Sequence, residues 1–125
     1  MADKKCCACA TAPNLIFPCS GASDVGEIAD RAARKITADG VGKMYCLAGV
    51  GGRVGNIMVS TRAAGKILAI DGCPHDCAKN TLEQAGFAGF EHIRLSDIGL
   101  EKGESPVTEE RIEQVALEGA SVLLR

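Results

Sequence analysis

The sequence predicts an α/β fold, a small doubly wound sandwich of the Rossmann-like or flavodoxin-like kind with a four-stranded, mainly parallel sheet. Short apolar runs alternate with amphipathic stretches of helical period, and this strand–helix order occurs four times. Such alternation is typical of a parallel sheet covered by helices on both faces. Right-handed crossovers then favour the strand order 2-1-3-4. A length of 125 residues suits one domain, which we place at residues 14–125.

The first unit begins with a predicted strand at residues 14–19, which ends at Cys19. Asp24 is the expected N-cap of the following helix, with Glu27 as its capping-box partner. Apolar residues then recur on one helical stripe as far as Ile36, and the glycines at 40 and 42 end the helix.

The second unit begins with a predicted strand at residues 43–48, with Cys46 near its end. A glycine-rich loop follows, from Gly49 to Gly55, and residues 54–63 are expected to be helical with Val54 facing inward. The loop carries Arg53 and precedes a helix, as an anion site would, yet it matches neither the dinucleotide fingerprint nor the phosphate-binding loop. A lid or a flexible loop is the alternative.

The third unit contains the apolar run 67–70, the turn Asp71-Gly72, and Cys73. Pro74 suits a first helical position, so Cys77 is expected one helical turn after Cys73 on the same face. A helix N-terminus favours thiolate over thiol. The turn therefore predicts two reactive or metal-binding thiols side by side.

The fourth unit is a predicted strand at residues 91–95, a polar loop at 96–106, and a last helix that Thr108 caps. His92 lies in this strand and is interpreted as a surface residue or as support for the site. His75 is interpreted as an exposed residue that could replace a cysteine ligand. Asp71 is expected to accept hydrogen bonds from backbone N–H groups or to support the site.

Four cysteines map to the carboxyl ends of the predicted strands, where open parallel sheets bind ligands. Four thiolates suit a tetrahedral Zn²⁺ ion, and an iron–sulfur cluster uses the same number. A thiol-based redox enzyme is a further alternative, although no two of these four cysteines form a Cys-x-x-Cys pair. The predicted metal ligands are Cys19, Cys46, Cys73 and Cys77, and their pattern leaves open whether the ion serves sensing, delivery or catalysis.

Composition excludes several classes of function. The net charge of −2 gives no basic surface for nucleic acid, and no apolar run reaches the ~20 residues that span a bilayer. The N-terminus lacks the apolar segment of a signal peptide, so we expect a cytoplasmic protein with reduced thiols. In that compartment an odd number of cysteines, seven, argues against a disulfide framework and for metal binding or thiol chemistry. Residues 1–13 are interpreted as a flexible tail that carries Cys6, Cys7 and Cys9. Protein partners are not predicted.

The chain resembles the DGC-domain family, which takes its name from the Asp-Gly-Cys found here at residues 71–73. The similarity runs from about Leu15 to Glu118, and its most specific stretches are FPCSGASDVGE at 17–27, YCLAGVGGRVG at 45–55, DGCPHDCA at 71–78 and EKGESPVTEERI at 101–112. The resemblance implies a small bacterial or archaeal protein that binds zinc through four cysteines, and it implies no particular reaction. Matched motif by motif, those ligands are Cys19, Cys46, Cys73 and Cys77.

Overall fold

The computed structural model describes residues 12–125, and it contains four strands, five α-helices and one short 3₁₀ helix. The predicted tail, with Cys6, Cys7 and Cys9, falls almost wholly outside the described residues. The strands are β1 (Leu15–Pro18), β2 (Lys43–Met44), β3 (Ile67–Asp71) and β4 (Glu91–Arg94), and the α-helices are α1 (Asp24–Ala38), α2 (Leu47–Gly51), α3 (Gly55–Arg62), α4 (Cys77–Gln84) and α5 (Glu109–Leu124); the 3₁₀ helix is Leu95–Ile98.

All four strands are parallel and lie in the order β2-β1-β3-β4, as predicted. β1 pairs with β3 over its full length, from Leu15 opposite Ile67 to Pro18 opposite Ile70. After β2 is added on one side of β1, the chain crosses over and adds β3 on the other side. The carboxyl ends of β1 and β3 lie on either side of the point where the strand order reverses, the switch point of the sheet. Ligands of open parallel sheets bind at such a switch point.

Alternate strand residues supply two separate aliphatic cores. Ile16, Leu68 and Ile70 point to the face that α1 and α5 cover. Leu15, Phe17 and Ala69 point to the opposite face, where they pack against α2, α3 and α4. This period-2 alternation is what a sheet buried on both sides requires. The described residues thus form a three-layer sandwich, and none of their helices has the length and apolarity to cross a bilayer.

The predicted N-cap of α1 is wrong by one residue. Ser23, not Asp24, is the N-cap of α1, and its hydroxyl accepts from Gly26 N at 3.2 Å. The Asp24 carboxylate instead accepts from the backbone N–H groups of Gly103 and Ser105, which ties α1 to the loop before α5. Thr108 caps α5 as predicted.

The second unit differs most from prediction. β2 has only two residues, and the predicted glycine-rich loop begins as the helix α2, with Cys46 as its N-cap. Glycine lowers helix propensity, but Gly49 packs against Ile57, where a Cβ would approach within 2.9 Å. In α2, close packing of Gly49 therefore outweighs the low helix propensity of glycine. Val54 does not face inward, because 47% of it is exposed.

Candidate metal centre

Each of the four predicted ligands lies beyond a strand or at a helix start on the carboxyl side of the sheet. Cys19 directly follows β1, and its N–H bonds Ile70 O at 2.9 Å, so it extends the ladder towards β3. Cys73 follows β3 by two residues, and Cys46 follows β2 by two residues. Cys77 is the first residue of α4. All four thiols are free, with Cys46 and Cys77 exposed and the other two half-buried.

Three of these cysteines line one cavity of about 310 Å³, which we call the three-cysteine cavity. Cys19, Cys73 and Cys77 lie on its wall, together with His75 and Lys102. The cavity sits against Asp71, at the switch point between β1 and β3. The fold therefore brings together cysteines that are up to 58 positions apart in sequence.

Cys46 lines a second cavity of about 520 Å³, which we call the Cys46 cavity. Cys19 lines this cavity as well as the first, so it connects the two. Ser20, Arg34 and Tyr45 supply polar groups to the wall of the Cys46 cavity. The predicted set of four thus divides into three cysteines that share one cavity and a fourth beside the adjoining one.

The sulfur atoms are not drawn together to coordination distance. Within residues 12–125, no three cysteines place their sulfur atoms within 4.8 Å of one another. Binding one tetrahedral ion therefore requires side-chain rotation, and a change of χ1 rotamer moves a sulfur atom by roughly 3 Å. The donor types and their common cavity fit a thiophilic ion once the side chains rotate.

The turn that carries Cys73 and Cys77 is organised by a buried carboxylate. Asp71 is 1% exposed, and its oxygens accept from Ala78 N at 2.7 Å and Lys79 N at 3.0 Å. These are N–H groups of the first turn of α4, which no residue within the helix can satisfy. The sequence-based expectation that Asp71 accepts from backbone N–H groups is confirmed, although the groups belong to the helix rather than to the turn.

The predicted helix start at Pro74, with Cys73 and Cys77 on one helical face, is wrong. Residues 74–76 form a turn, and α4 begins only at Cys77. Because Asp71 occupies the free N–H groups, its negative charge offsets the positive end of the helix. Burial and the charges of Asp71, Cys19 and Cys73 raise the pKa of Cys77, which is the opposite of the expected thiolate stabilisation.

A second group of potential ligands lies beneath the turn. Asp71, Asp76 and His92 place one donor atom each within 4.8 Å of one another, a spacing that suits a metal ion. His92 Nε2 donates to Asp71 Oδ2 at 2.9 Å, because a carboxylate that already accepts two N–H groups can only accept. Asp76 is engaged by Arg94, whose Nε donates to Oδ1 at 2.8 Å and whose Nη2 donates to Oδ2. This ion pair lowers the pKa of Asp76.

Two left-handed residues that are not glycine flank predicted ligands. The described residues that are not glycine and have positive φ are Ser20 (54°), Arg53 (58°) and Asp76 (54°). Ser20 directly follows one predicted ligand and Asp76 directly precedes another. Such conformations cost of order 1 kcal/mol each and cluster at functional sites.

Arg53 does not have the free cationic group that an anion site would use. Its Nη1 donates to Val50 O at 2.9 Å and to Gly51 O at 3.1 Å, and its Nη2 donates to Gln84 O at 2.9 Å. The guanidinium therefore joins the end of α2 to the end of α4. Carbonyls at helix C-termini attract a cation, so this contact explains Arg53 without a ligand.

Sequence reasoning missed three charged residues of the site: Asp76, Arg94 and Lys102. Asp76 and Arg94 are 18 positions apart, and no short motif links them. Lys102 comes from the loop before α5, which reaches the cavity because Asp24 holds that loop against α1. A long-range contact of this kind leaves no local signal.

The family model described as "DGC domain" matches residues 15–118. The "Anaerobic and virulence modulator AnvM" of Pseudomonas aeruginosa is 38% identical over 88 residues, which cover 70% of this chain and 67% of that protein. No solved structure matches.

Proposed function

The chain belongs to the DGC domain family, and from that premise we propose that it is a zinc-binding protein whose ligands are Cys19, Cys46, Cys73 and Cys77. The observation that carries the proposal is the three-cysteine cavity at the switch point of the sheet. Three free thiols from distant parts of the chain share one cavity there. Clustered thiols favour soft or borderline metals, of which zinc binds as four-coordinate Cys₄.

The electrostatic setting supports a cation at these thiols. Burial and the charges of Asp71, Cys19 and Cys73 raise the pKa of Cys77, so this thiol resists deprotonation when no cation is present. A divalent ion would reverse this preference, since it binds thiolates and releases their protons. Four thiolates on one dication leave a charge near −2, and Lys102 lies on the cavity wall to offset part of it.

We assign the zinc to the cysteines rather than to Asp71, Asp76 and His92. Arg94 engages both oxygens of Asp76 and would have to be displaced by a cation. Asp71 already accepts hydrogen bonds from two free N–H groups at the start of α4. The carboxylate–histidine group therefore serves to hold the turn between Cys73 and Cys77 in place.

Metal analysis of the native protein tests this assignment. Protein purified without added metal is expected to contain about one zinc per chain, and Cys73→Ser should remove most of it. His92→Ala, a variant of the carboxylate–histidine group, should keep the zinc. A folded wild-type protein with free thiols and far less than one zinc per chain would refute the proposal, and loss of zinc only in His92→Ala would move the ion to the other group.

An iron–sulfur cluster and a redox dithiol are the alternatives for the same cysteines. Anaerobic purification and a visible absorption spectrum identify a cluster. A redox or nucleophilic cysteine would be alkylated rapidly near neutral pH whether or not a chelator is present. The raised pKa of Cys77 argues against that residue as the attacking thiol.

A role in sensing or delivering metal suits an exposed site better than a purely structural role. Two of the four thiols are exposed, and the ligands lie at the functional edge of the sheet. The name of the Pseudomonas aeruginosa relative describes a modulator, which favours a regulatory role over an enzymatic one. The free thiols favour the reducing cytoplasm as the location.

A further inference from the structure

We propose that Cys46 is an exchangeable ligand and that the Cys46 cavity admits a small carboxylate-bearing thiol that takes its place. This inference rests on the proposed zinc site and names the ligand that would reach it. Zinc sites that keep three protein ligands and one open position can bind an outside group, whereas closed sites with four fixed ligands are structural.

The position of Cys46 separates it from the other three cysteines. Cys19, Cys73 and Cys77 share the three-cysteine cavity, while Cys46 lies on the wall of the adjoining one. Cys19 alone lines both cavities. An ion bound by Cys19, Cys73 and Cys77 would therefore have its open coordination position towards the Cys46 cavity. A fourth ligand must therefore come from the side of the larger cavity.

Cys46 also has another partner to return to when it leaves the ion. Its Sγ accepts from Gly49 N at 3.3 Å, which caps α2. The N-cap bond satisfies an N–H that the helix itself leaves free. Cys46 is exposed and follows a strand of only two residues, so its side chain can change rotamer without disturbing a sheet ladder.

The Cys46 cavity has the size and the groups for a small thiol with a carboxylate. Its volume of about 520 Å³ lies within the range of small-molecule sites. Arg34 lines it and bonds Asp30 through Nε at 2.7 Å. A guanidinium has five N–H donors, so Arg34 retains donors for a ligand carboxylate. Tyr45 adds a hydroxyl group to the wall, whereas the hydroxyl of Ser20, which also lines the cavity, donates to Asp30 Oδ1 at 2.8 Å.

The exchange balances in charge and protons. With zinc bound, the bond between the ion and Cys46 would break as a bond from the ion to the incoming sulfur forms. The incoming thiol would give its proton to the Cys46 thiolate, which would become the neutral thiol that caps α2. The set of four thiolates and its net charge are unchanged, and no oxidant or reductant is needed.

Cobalt substitution of the full chain tests the inference, because charge-transfer absorption grows with the number of thiolates bound to Co²⁺. Cys46→Ser should fold, since serine is a preferred N-cap. We expect it to bind one cobalt per chain with about three quarters of the wild-type absorption, as three of four thiolates remain. Adding glutathione should restore the missing quarter. Cys73→Ser, the matched control, should bind cobalt roughly tenfold or more weakly than Cys46→Ser, a difference of at least 1.4 kcal/mol.

A second comparison tests the carboxylate. Glutathione should restore the cobalt absorption of Cys46→Ser at a lower concentration than 2-mercaptoethanol, which has no carboxylate. Adding Arg34→Gln to Cys46→Ser should bring the effective concentrations of the two thiols closer together. A spectrum that no thiol changes, or an affinity loss in Cys46→Ser equal to that in Cys73→Ser, would overturn the inference while leaving the zinc site intact. Wild-type protein that binds neither zinc nor cobalt would overturn both.

Discussion

Replacement of Asp71 by alanine should be among the most damaging single changes to the site, because one buried carboxylate supports several elements. The substitution leaves the N–H groups of Ala78 and Lys79 without their acceptor and removes the partner of His92. Loss of a helix cap costs about 1 kcal/mol. Leaving the buried N–H of Ala78 unsatisfied costs about 2 kcal/mol more. We therefore expect Asp71→Ala to lower the free energy of unfolding by about 3 kcal/mol.

Urea unfolding of metal-free protein, followed by far-ultraviolet circular dichroism, measures this loss directly. Metal must be removed first, since a bound ion would add its own binding energy to the folded state. Asp71→Asn keeps one acceptor oxygen in a side chain of the same shape, and should therefore lose about half as much, ~1.5 kcal/mol.

Asp97→Ala is the matched control for loss of an acidic side chain. Asp97 is 64% exposed and pairs with Arg94 at 3.1 Å. An exposed ion pair of this kind contributes less than about 1 kcal/mol. Asp71→Ala and Asp97→Ala with equal free energies of unfolding would refute the role of Asp71 as the residue that anchors α4.

Three other predictions concern close packing, pH and metal. Gly72→Ala should destabilise the fold by about 1–3 kcal/mol, because the added Cβ would lie 2.7 Å from Val25 Cγ2, and thermal unfolding measures the loss. Asp24→Asn should lower the free energy of unfolding most near neutral pH. Backbone N–H groups of the loop before α5 lower the pKa of Asp24 in the folded protein. The stability that Asp24 contributes is therefore present above the ordinary aspartate pKa near 4, and it disappears as pH falls through the lower folded value. Free zinc at about 100 times its Kd should stabilise wild type by ~2.7 kcal/mol and Cys73→Ser by far less.

The controls for these three predictions are built into the chain. Gly21→Ala matches Gly72→Ala, because a Cβ at Gly21 would meet no atom within 4 Å, and equal losses would contradict the packing argument. For Asp24→Asn, urea unfolding from pH 7 to pH 3 should show a difference in the free energy of unfolding from wild type that becomes smaller below pH 4. A difference that does not change with pH would contradict the stabilising role of the ionised Asp24. Equal stabilisation of wild type and Cys73→Ser by zinc would place the ion elsewhere.

Regular patterns made the fold predictable, and tertiary contacts account for what was missed. Strand–helix alternation and right-handed crossovers were sufficient for the parallel sheet and its order. The α2 helix was missed because glycine suggests a loop, whereas packing of Gly49 against Ile57 selects helix. The start of α4 was misplaced because Pro74 suits a first helical turn, whereas Asp71 anchors the helix from Cys77 onward.

The site, like the fold, was predictable where it follows from a regular pattern and was missed where it depends on tertiary contacts. Strand ends located the four cysteines at one edge, since a parallel sheet places all of its carboxyl ends together. Nothing in the sequence indicated that Cys46 lies beside a different cavity from Cys73 and Cys77, because that division depends on the two-residue length of β2 and on the turn at 74–76. Zinc binding by these four cysteines stays a prediction.

The left-handed residue beside Cys19 sets up a balance that a single substitution can measure. Ser20→Gly would relieve the strain of a φ of 54°, which glycine adopts without steric cost. Glycine would also remove the hydroxyl that donates to Asp30 and give the backbone next to Cys19 more freedom, and both of these changes oppose the gain in stability. The melting temperature and the zinc content of Ser20→Gly, measured together, would therefore show whether the strain at this position serves the proposed zinc site.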